Sequence, residues 1–368
     1  MKPLTPLASL SSLLLASAAL LILPLHVTAL SSAGDAAPQP VNKPHVPIAA
    51  YPAVVTEGKI LGVKKIWSEG EHNAFTDLIR FQNRWFCTFR EGGNHKSPNG
   101  DVRVIESDDG EHWKSAALLK EEGIDLRDPK FCLTPDGRLM LIIGGSEMKD
   151  GLYVTRQPRV SFSRDGRTWT ATRRVGPERQ WFWRVTWFKG QAYTISYLGG
   201  GGLKDKRDGF LFTSSDGVDW KLIKKLDLPS ASETTVRFMD DGEMIALSRA
   251  EPGKGVRLAK IGSSRPPYTE WTWKDVPVAL GGPNFIVLPD GRWLAGTRER
   301  PVEKNEPQTA LAWMTRDSFK SFLKFESGGD NSYPGLVWYN DVLWVSYYSS
   351  HQGKTDIYLA KVQLPKAK

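Results

Sequence analysis

From about residue 58 onward the chain alternates short apolar runs with polar turns at an even spacing. An apolar strand, a two-residue turn and a second apolar strand recur at Gln82-Asn83, Asp136-Gly137, Lys189-Gly190, Asp241-Gly242, Asp290-Gly291 and Asn340-Asp341. Flanks such as Phe131-Cys132-Leu133 before the turn and Leu139-Met140-Leu141 after it read as paired strands, and the turn residues tolerate the left-handed conformations that tight hairpins need. The second turn residues lie 54, 53, 52, 49 and 50 positions apart. A four-stranded sheet consumes about fifty residues in the longer propeller repeats, so the period predicts an all-β, six-bladed β-propeller with four antiparallel strands per blade. A β-sandwich has no reason to be so regular.

A second repeat runs in step with the first. Ser107-Asp108-Asp109-Gly110-Glu111-His112-Trp113, Ser163-Arg164-Asp165-Gly166-Arg167-Thr168-Trp169 and Ser214-Ser215-Asp216-Gly217-Val218-Asp219-Trp220 share the pattern S-x-D-G-x-x-W, with serine spacings of 56 and 51. Ser and Asp satisfy the backbone of a tight turn, Gly supplies its left-handed residue, and Trp returns to cover apolar surface. Weaker echoes follow at Tyr268-Thr269-Glu270-Trp271 and Thr315-Arg316-Asp317-Ser318-Phe319. Between strands three and four, this turn falls on the face opposite the ends where the first strands begin, which makes it structural. The last repeat has only one strand after its hairpin, Asp356 to Gln363, and the alternating segment from Gly58 to Trp67 is the available fourth. Joining both ends of the chain in one blade would close the ring and remove free strand edges. Residues 56–365 are therefore expected to form one propeller domain.

Composition narrows the class. Fourteen Trp with 34 Gly and 24 Pro favour short strands and many turns over helices, and 40% hydrophobic with 24% charged residues fits a globular protein rather than a disordered or polytopic membrane one. The net charge of +8 favours anionic partners. No run of five or six basic residues marks a nucleic-acid tail or a polybasic membrane patch. Residues 1–29 combine an early Lys2, an apolar stretch from Leu13 to Leu25 and small residues at Val27-Thr28-Ala29, the layout of a signal peptide cleaved near Ala29 or Ala33. Pro24 and His26 interrupt the apolar run, which argues against a stable membrane anchor, and residues 30–55 read as a Pro/Ala-rich linker. A secreted or periplasmic protein is expected. Only Cys87 and Cys132 are present, both in apolar runs, and are read as buried thiols. No metal-ligand spacing, phosphate loop or serine elbow occurs, so neither a metal nor another cofactor is expected. Nothing in the pattern specifies an oligomeric state.

Candidate chemistry follows from the topology. Starts of first strands and ends of second strands share one mouth of the ring. The former offer Asp77, Arg127 with Asp128, Arg184, Glu233, Asn284 and Tyr333; the latter offer Arg90 with Glu91, Glu147, Arg249, Arg298 with Glu299 and Arg300, and His351. Charged groups crowded near a narrow axis need a ligand or mutual pairing, so both a binding site and an inter-blade salt-bridge network fit. Trp181, Trp183 and Trp187 read as core rather than as a sugar platform, His351 either lines the mouth or caps its strand, and His72 and His95 have no evident partner. Gly199 to Gly202 reads as a flexible loop.

The S-x-D-G-x-x-W turns resemble the Asp boxes of bacterial sialidases, whose propeller also has six blades. Ser232-Glu233-Thr234-Thr235-Val236 with Leu247-Ser248-Arg249 resembles the family stretch that carries a catalytic Glu and a carboxylate-binding Arg, and Asn331-Ser332-Tyr333-Pro334-Gly335 resembles the stretch that carries the nucleophilic Tyr. The resemblance implies an exo-acting glycoside hydrolase that removes a terminal acidic sugar, with Tyr333 as nucleophile, Glu233 as its base and Arg249 on the substrate carboxylate. A neutral phenol suits a sugar bearing a carboxylate at the reacting carbon, where an anionic nucleophile would be repelled, and it needs a neighbouring base. The sequence departs from the family at two places. Phe75-Thr76-Asp77-Leu78 lacks the first of three expected arginines, leaving Arg90, Arg127, Arg184 and Arg298 as candidates to complete the substrate-binding set. The loop expected to supply the acid reads Ser97-Pro98-Asn99-Gly100-Asp101, which leaves Asp77 and Asp128 as rivals for that role. An acidic glycan is the expected partner; a uronic or sulfated sugar, or a glycan-binding propeller without catalysis, remain alternatives.

Overall fold

A computed structural model of the chain describes residues 51–150, 152–198, 208–250, 258–300 and 307–366. The expected signal peptide, most of the expected linker and the expected loop from Gly199 to Gly202 lie outside the described residues. The rest is an all-β ring of six antiparallel sheets, the six-bladed propeller expected from the period. Blade one runs from the axis outward through His72–Phe81, Arg84–Gly92, Asp101–Ser107 and Lys114–Leu119, and each following blade repeats that order. The ring closes in blade six, where Lys59–Trp67 pairs with Asp356–Gln363 outside Val342–Ser349 and the inner strand Asn331–Tyr339. The linker expectation needs one correction. Val54–Val55 pairs with the outer strand of blade five, Phe319–Lys324, and Tyr51 bridges to Ser327, so the last residues of that stretch are part of the fold.

Apolar residues gather into six clusters, and each belongs to a seam between neighbouring blades rather than to one blade. Phe86, Val102 and Leu119 of blade one meet Phe131, Leu139 and Leu141 of blade two, while Trp85 of blade one meets Trp344 and Leu359 of blade six. A single blade has two apolar faces and cannot bury either alone, so the ring is the smallest unit with a complete core. The S-x-D-G-x-x-W turns lock these seams. In the first, Asp109 Oδ1 accepts from the backbone N–H of Glu111 and His112 at 2.7 and 2.9 Å, Ser107 Oγ accepts from Gly110 N at 2.8 Å, and Trp113 Nε1 donates to Gly110 O at 3.1 Å. Gly110 has φ +77°, and a Cβ there would fall 2.6 Å from Trp344 of the preceding blade. The motif is a dock between blades, remote from the mouth. Cys87 and Cys132 are both free, the former buried and the latter partly so.

Candidate functional site

The inner strands share an irregularity where they converge on the axis. Register shifts interrupt the pairing between Ala74 and Asp77, Arg127 and Lys130, Ala231 and Thr234, Gly281 and Asn284, and Ser332 and Gly335. In blade three the inner strand breaks between Phe182 and Thr186. These bulges insert residues whose side chains leave the strand alternation. Phe75, Asp128 and Tyr333 occupy them with φ of 67°, 50° and 54°, and Gly282 with 60°. Bulky residues rarely adopt positive φ, and such strain persists only where the surroundings enforce it. Three inserted residues precede proline, at Pro129, Pro283 and Pro334, which has no N–H to leave unpaired.

Side chains from other blades hold several of the bulge carbonyls. Thr76 Oγ1 donates to Tyr333 O at 2.8 Å, Trp183 Nε1 to Pro283 O at 3.0 Å, and Asn284 Nδ2 to Pro334 O at 3.1 Å. Lys130, fully buried, donates to the carbonyls of Phe75, Thr76 and Pro129 at 3.1 to 3.2 Å. Burial and the nearby Arg184 push its ammonium down to about 8. It lies 4.8 Å from the Trp183 ring centroid and 5.5 Å from that of Tyr333.

At the centre, the Tyr333 hydroxyl hydrogen-bonds Glu233 Oε1. Arg249 Nη1 is 2.8 Å from both oxygens of Glu233 and 3.4 Å from Tyr333 Oη, and the Gly282 N–H donates to Glu233 Oε2 at 2.8 Å. Burial acts to raise the Glu233 carboxyl, but the Arg249 charge and the hydrogen bonds from Arg249, Tyr333 and Gly282 overcome it, leaving the group below its ordinary range. Burial and the adjacent Glu233 charge drive the Tyr333 phenol well above its ordinary value. The resting pair is thus a phenol and a carboxylate sharing one proton. The Tyr333 ring is fixed by Phe75 at 5.0 Å, Trp183 at 5.2 Å and Tyr348 at 5.9 Å between centroids.

Two further arginines approach Tyr333. Arg298 lies with its guanidinium carbon 5.8 Å from the Tyr333 centroid and donates to Asn331 O at 3.2 Å. Arg300 ends the same strand at the surface, and its guanidinium is pushed down by the partial burial of its side chain and by the charges of Arg298 and Arg249. The charges of Arg298 and Arg249 acting on Arg300 favour an anion beside it.

The remaining expected site residues divide. Asp128 is at the mouth, 7% exposed, with Oδ1 making no hydrogen bond among the described residues. Burial raises its carboxyl above the ordinary range against the pull of Arg127 and Lys130, and the Glu233 charge adds to the rise. Asp77, by contrast, accepts from Arg184 Nη1 at 2.9 Å and from the Phe131 N–H at 2.8 Å. Arg184 also donates to Pro334 O at 3.3 Å. Asp77 and Arg184 therefore form a buried ion pair that braces bulges, a correction to the acid role for the first and the substrate-binding role for the second. Arg90 is fully buried; it bonds Asp125 at 2.6 Å, Asn94 O at 2.9 Å, Ser97 Oγ at 2.8 Å and Ser97 O at 3.1 Å, so its donors are committed to folding the loop after blade one's hairpin. It cannot stand in for the missing arginine. Arg127 is similarly drawn to Asp125 at 3.2 Å and His95 O at 2.8 Å, with its guanidinium 4.7 Å from the Phe75 centroid. Asp101 pairs with Lys120 in the outer part of blade one, away from the site.

Several site residues were not singled out from the sequence as functional: Lys130, Trp183 as a support for Tyr333, the Gly282 N–H, and Asp330 with His72 and His95. One signal was present, since proline recurs seven or eight residues before the second hairpin turn residue in blades two, five and six and marks the bulge.

No family model matches this sequence, and no curated protein does. Solved structures do match, and they share the propeller. A Dyadobacter fermentans protein of unknown function aligns with a TM-score of 0.70 at 18% identity over 84% of this chain and 100% of its own. The Trypanosoma rangeli sialidase, solved with the inhibitor DANA, gives 0.61 at 10% over 85% of this chain and 59% of that one. An α-L-arabinofuranosidase from Fusarium graminearum, in complex with an iminosugar inhibitor, gives 0.59 at 15% over 83% and 98%. At these identities the likeness defines the fold class, and these two characterised neighbours are glycoside hydrolases.

Proposed function

We propose that the protein is an exo-acting glycoside hydrolase that removes a terminal acidic sugar, with sialic acid as the first substrate to test. The observation that carries this reading is the buried Tyr333 hydroxyl bonded to the Glu233 carboxylate, with Arg249 on both and Arg298 and Arg300 nearby. In the first step Tyr333 Oη forms a bond to the anomeric carbon as its proton passes to Glu233. The bond to the leaving oxygen breaks, and Asp128 supplies that oxygen's proton. A water then attacks the tyrosyl glycoside, giving its proton to Asp128, while the phenolate recovers its own from Glu233. Two displacements at one carbon give net retention. Arg298 and Arg300 act with Arg249 as the anion site.

Thr76 supports a second reading of the substrate. It is buried and bonded to Tyr333 O and Ser346 Oγ, so blade one contributes no arginine there, and a uronic or sulfated sugar fits that anion site as well. The deciding experiment is hydrolysis of fluorogenic α-sialoside, β-glucuronide and sulfated glycosides by wild type, Tyr333→Phe and Glu233→Gln. Release from one of them, lost by a factor of about 10³ or more in both variants with unchanged melting temperature, supports the mechanism. Equal turnover by the variants, or none by folded wild type on any acidic sugar, overturns it in favour of glycan binding without hydrolysis. We also read residues 1–29 as an export signal, which N-terminal sequencing of the exported protein would test.

A further inference from the structure

At the seam that closes the ring, three residues far apart in the chain meet. His72 begins the inner strand of blade one, His95 lies in the loop after that blade's hairpin, and Asp330 precedes the inner strand of blade six. His72 Nε2 is 2.8 Å and His95 Nδ1 3.2 Å from the same Asp330 oxygen, and all three ligand-type atoms lie within 4.8 Å of one another. We propose that these residues bind a divalent first-row metal ion, zinc or a neighbour, at the rim of the active-site mouth. Ligand atoms about 2.0 to 2.2 Å from a tetrahedral zinc stand roughly 3.3 Å apart, so modest side-chain rotations convert the present contacts into coordination. Two imidazoles and one carboxylate are a donor set for zinc, iron or nickel rather than for calcium or magnesium.

Each ligand is held by the fold. His72 is fixed by its bridge to Thr355, and Asp330 exchanges hydrogen bonds with Ser350 through Ser350 N to Asp330 O at 3.0 Å and Asp330 N to Ser350 Oγ at 3.3 Å. His95 O accepts from Arg127 at 2.8 Å. The His72 side chain is 10% exposed and its Nδ1 has no partner among the described residues, so only Asp330 selects its tautomer. Its Nε2 lone pair is available to a metal once the proton moves to Nδ1. Exposure of 43% for the His95 side chain and 31% for Asp330 leaves the site open on one side, as in metal centres that keep a position for water or substrate.

The place of the site gives it a role that rests on the hydrolase reading. Phe75 packs 6.5 Å from the His72 ring, 5.1 Å from that of His95 and 5.0 Å from that of Tyr333, so one aromatic ring separates the metal ligands from the nucleophile. Blade one presents no uncommitted arginine at this end of the mouth, since Arg90 is bonded to Asp125 and Ser97, and a dication there adds positive charge beside Arg127, itself drawn to Asp125. Its open position would take a carboxylate, sulfate or vicinal hydroxyl oxygen of the glycan.

The test is calorimetric titration of metal-free wild type, His95→Ala and Asp330→Asn with zinc, with the visible spectrum of the cobalt-loaded protein as a second readout. One equivalent bound at micromolar affinity or tighter, weakened at least roughly tenfold in both variants with melting temperatures preserved, is the expected result. Absent binding, or binding indifferent to both changes, overturns the site. Activity is read separately on whichever acidic glycoside is turned over. A several-fold rise in KM on metal removal supports the substrate role, and an unchanged KM in protein shown to bind zinc overturns that role alone. If no glycoside is turned over the hydrolase reading fails, and the titration still decides the metal site.

Discussion

At the residue scale, the proposed hydrolysis rests on three groups whose environments push their protons in different directions. Glu233 is held below the ordinary carboxylate range and Tyr333 above the ordinary phenol, so the pair keeps a base ready beside its proton source. Asp128 is raised by burial and is the carboxyl suited to donate a proton. The pH dependence follows from these directions. Glu233 must be ionised, so activity falls as pH drops through its lowered pKa; Asp128 must be protonated in the first step, so activity falls as pH climbs through its raised one. Asp128→Asn should lose most of its activity, about 10²- to 10⁴-fold, on an alkyl glycoside. It should lose much less in the glycosylation step of an aryl glycoside whose phenol leaves without protonation. Measuring kcat/KM for both substrates across pH checks this, and equal losses on the two would remove Asp128 from the acid role.

At the scale of the element, the bulge is the device that builds the site, and it explains what could be read from sequence. The hairpins were legible because alternation and turn residues repeat every fifty positions. The meeting of Glu233 with Tyr333 was legible because both begin an inner strand and match a known pattern. Asp77, Arg90 and Arg184 were placed correctly along their strands, but their partners were not. Asp77 and Arg184 are 107 residues apart and Arg90 and Asp125 are 35 apart, and a strand position alone does not show whether a charge faces ligand or counter-charge. Parity counting also fails across a bulge, since the inserted residue shifts every following side chain to the other face. Gly282 tests the device directly. At φ +60°, a Cβ there would fall 2.7 Å from Tyr333 Cδ2 and 3.0 Å from its Cα. Gly282→Ala should cost about 1–3 kcal/mol and lower kcat at least tenfold by displacing Tyr333, the proposed nucleophile. Gly291→Ala, at φ +84° with nothing within 4 Å of the new Cβ, is the matched control. It should lose stability through backbone strain alone and keep full kcat, as melts and steady-state assays on both variants would show.

For the propeller as a whole, the site is a property of closure. Tyr333 belongs to blade six, Glu233 and Arg249 to blade four, Arg298 to blade five and Asp128 to blade two, so their spacing depends on the ring rather than on any one sheet. The seam between blades six and one carries the added burden of joining the chain's ends. Lys59–Trp67 pairs along Asp356–Gln363, Ile66 is buried in the seam cluster, and Trp67 Nε1 donates to Glu91 Oε1 at 2.6 Å in blade one. The shorter pairing of Val54–Val55 on blade five covers an edge without bearing on that seam. A chain begun after residue 57 should therefore melt cooperatively within a few degrees of the longer one. A chain begun after Trp67 loses the whole outer strand of blade six and leaves an open edge along Asp356–Gln363, a template for pairing with other chains. It should unfold at a much lower temperature and elute as aggregate. Because Tyr333 hangs on the inner strand of that same blade, the proposed hydrolysis should disappear with the cooperative melt; retained activity in the shorter chain would show that the site survives without closure.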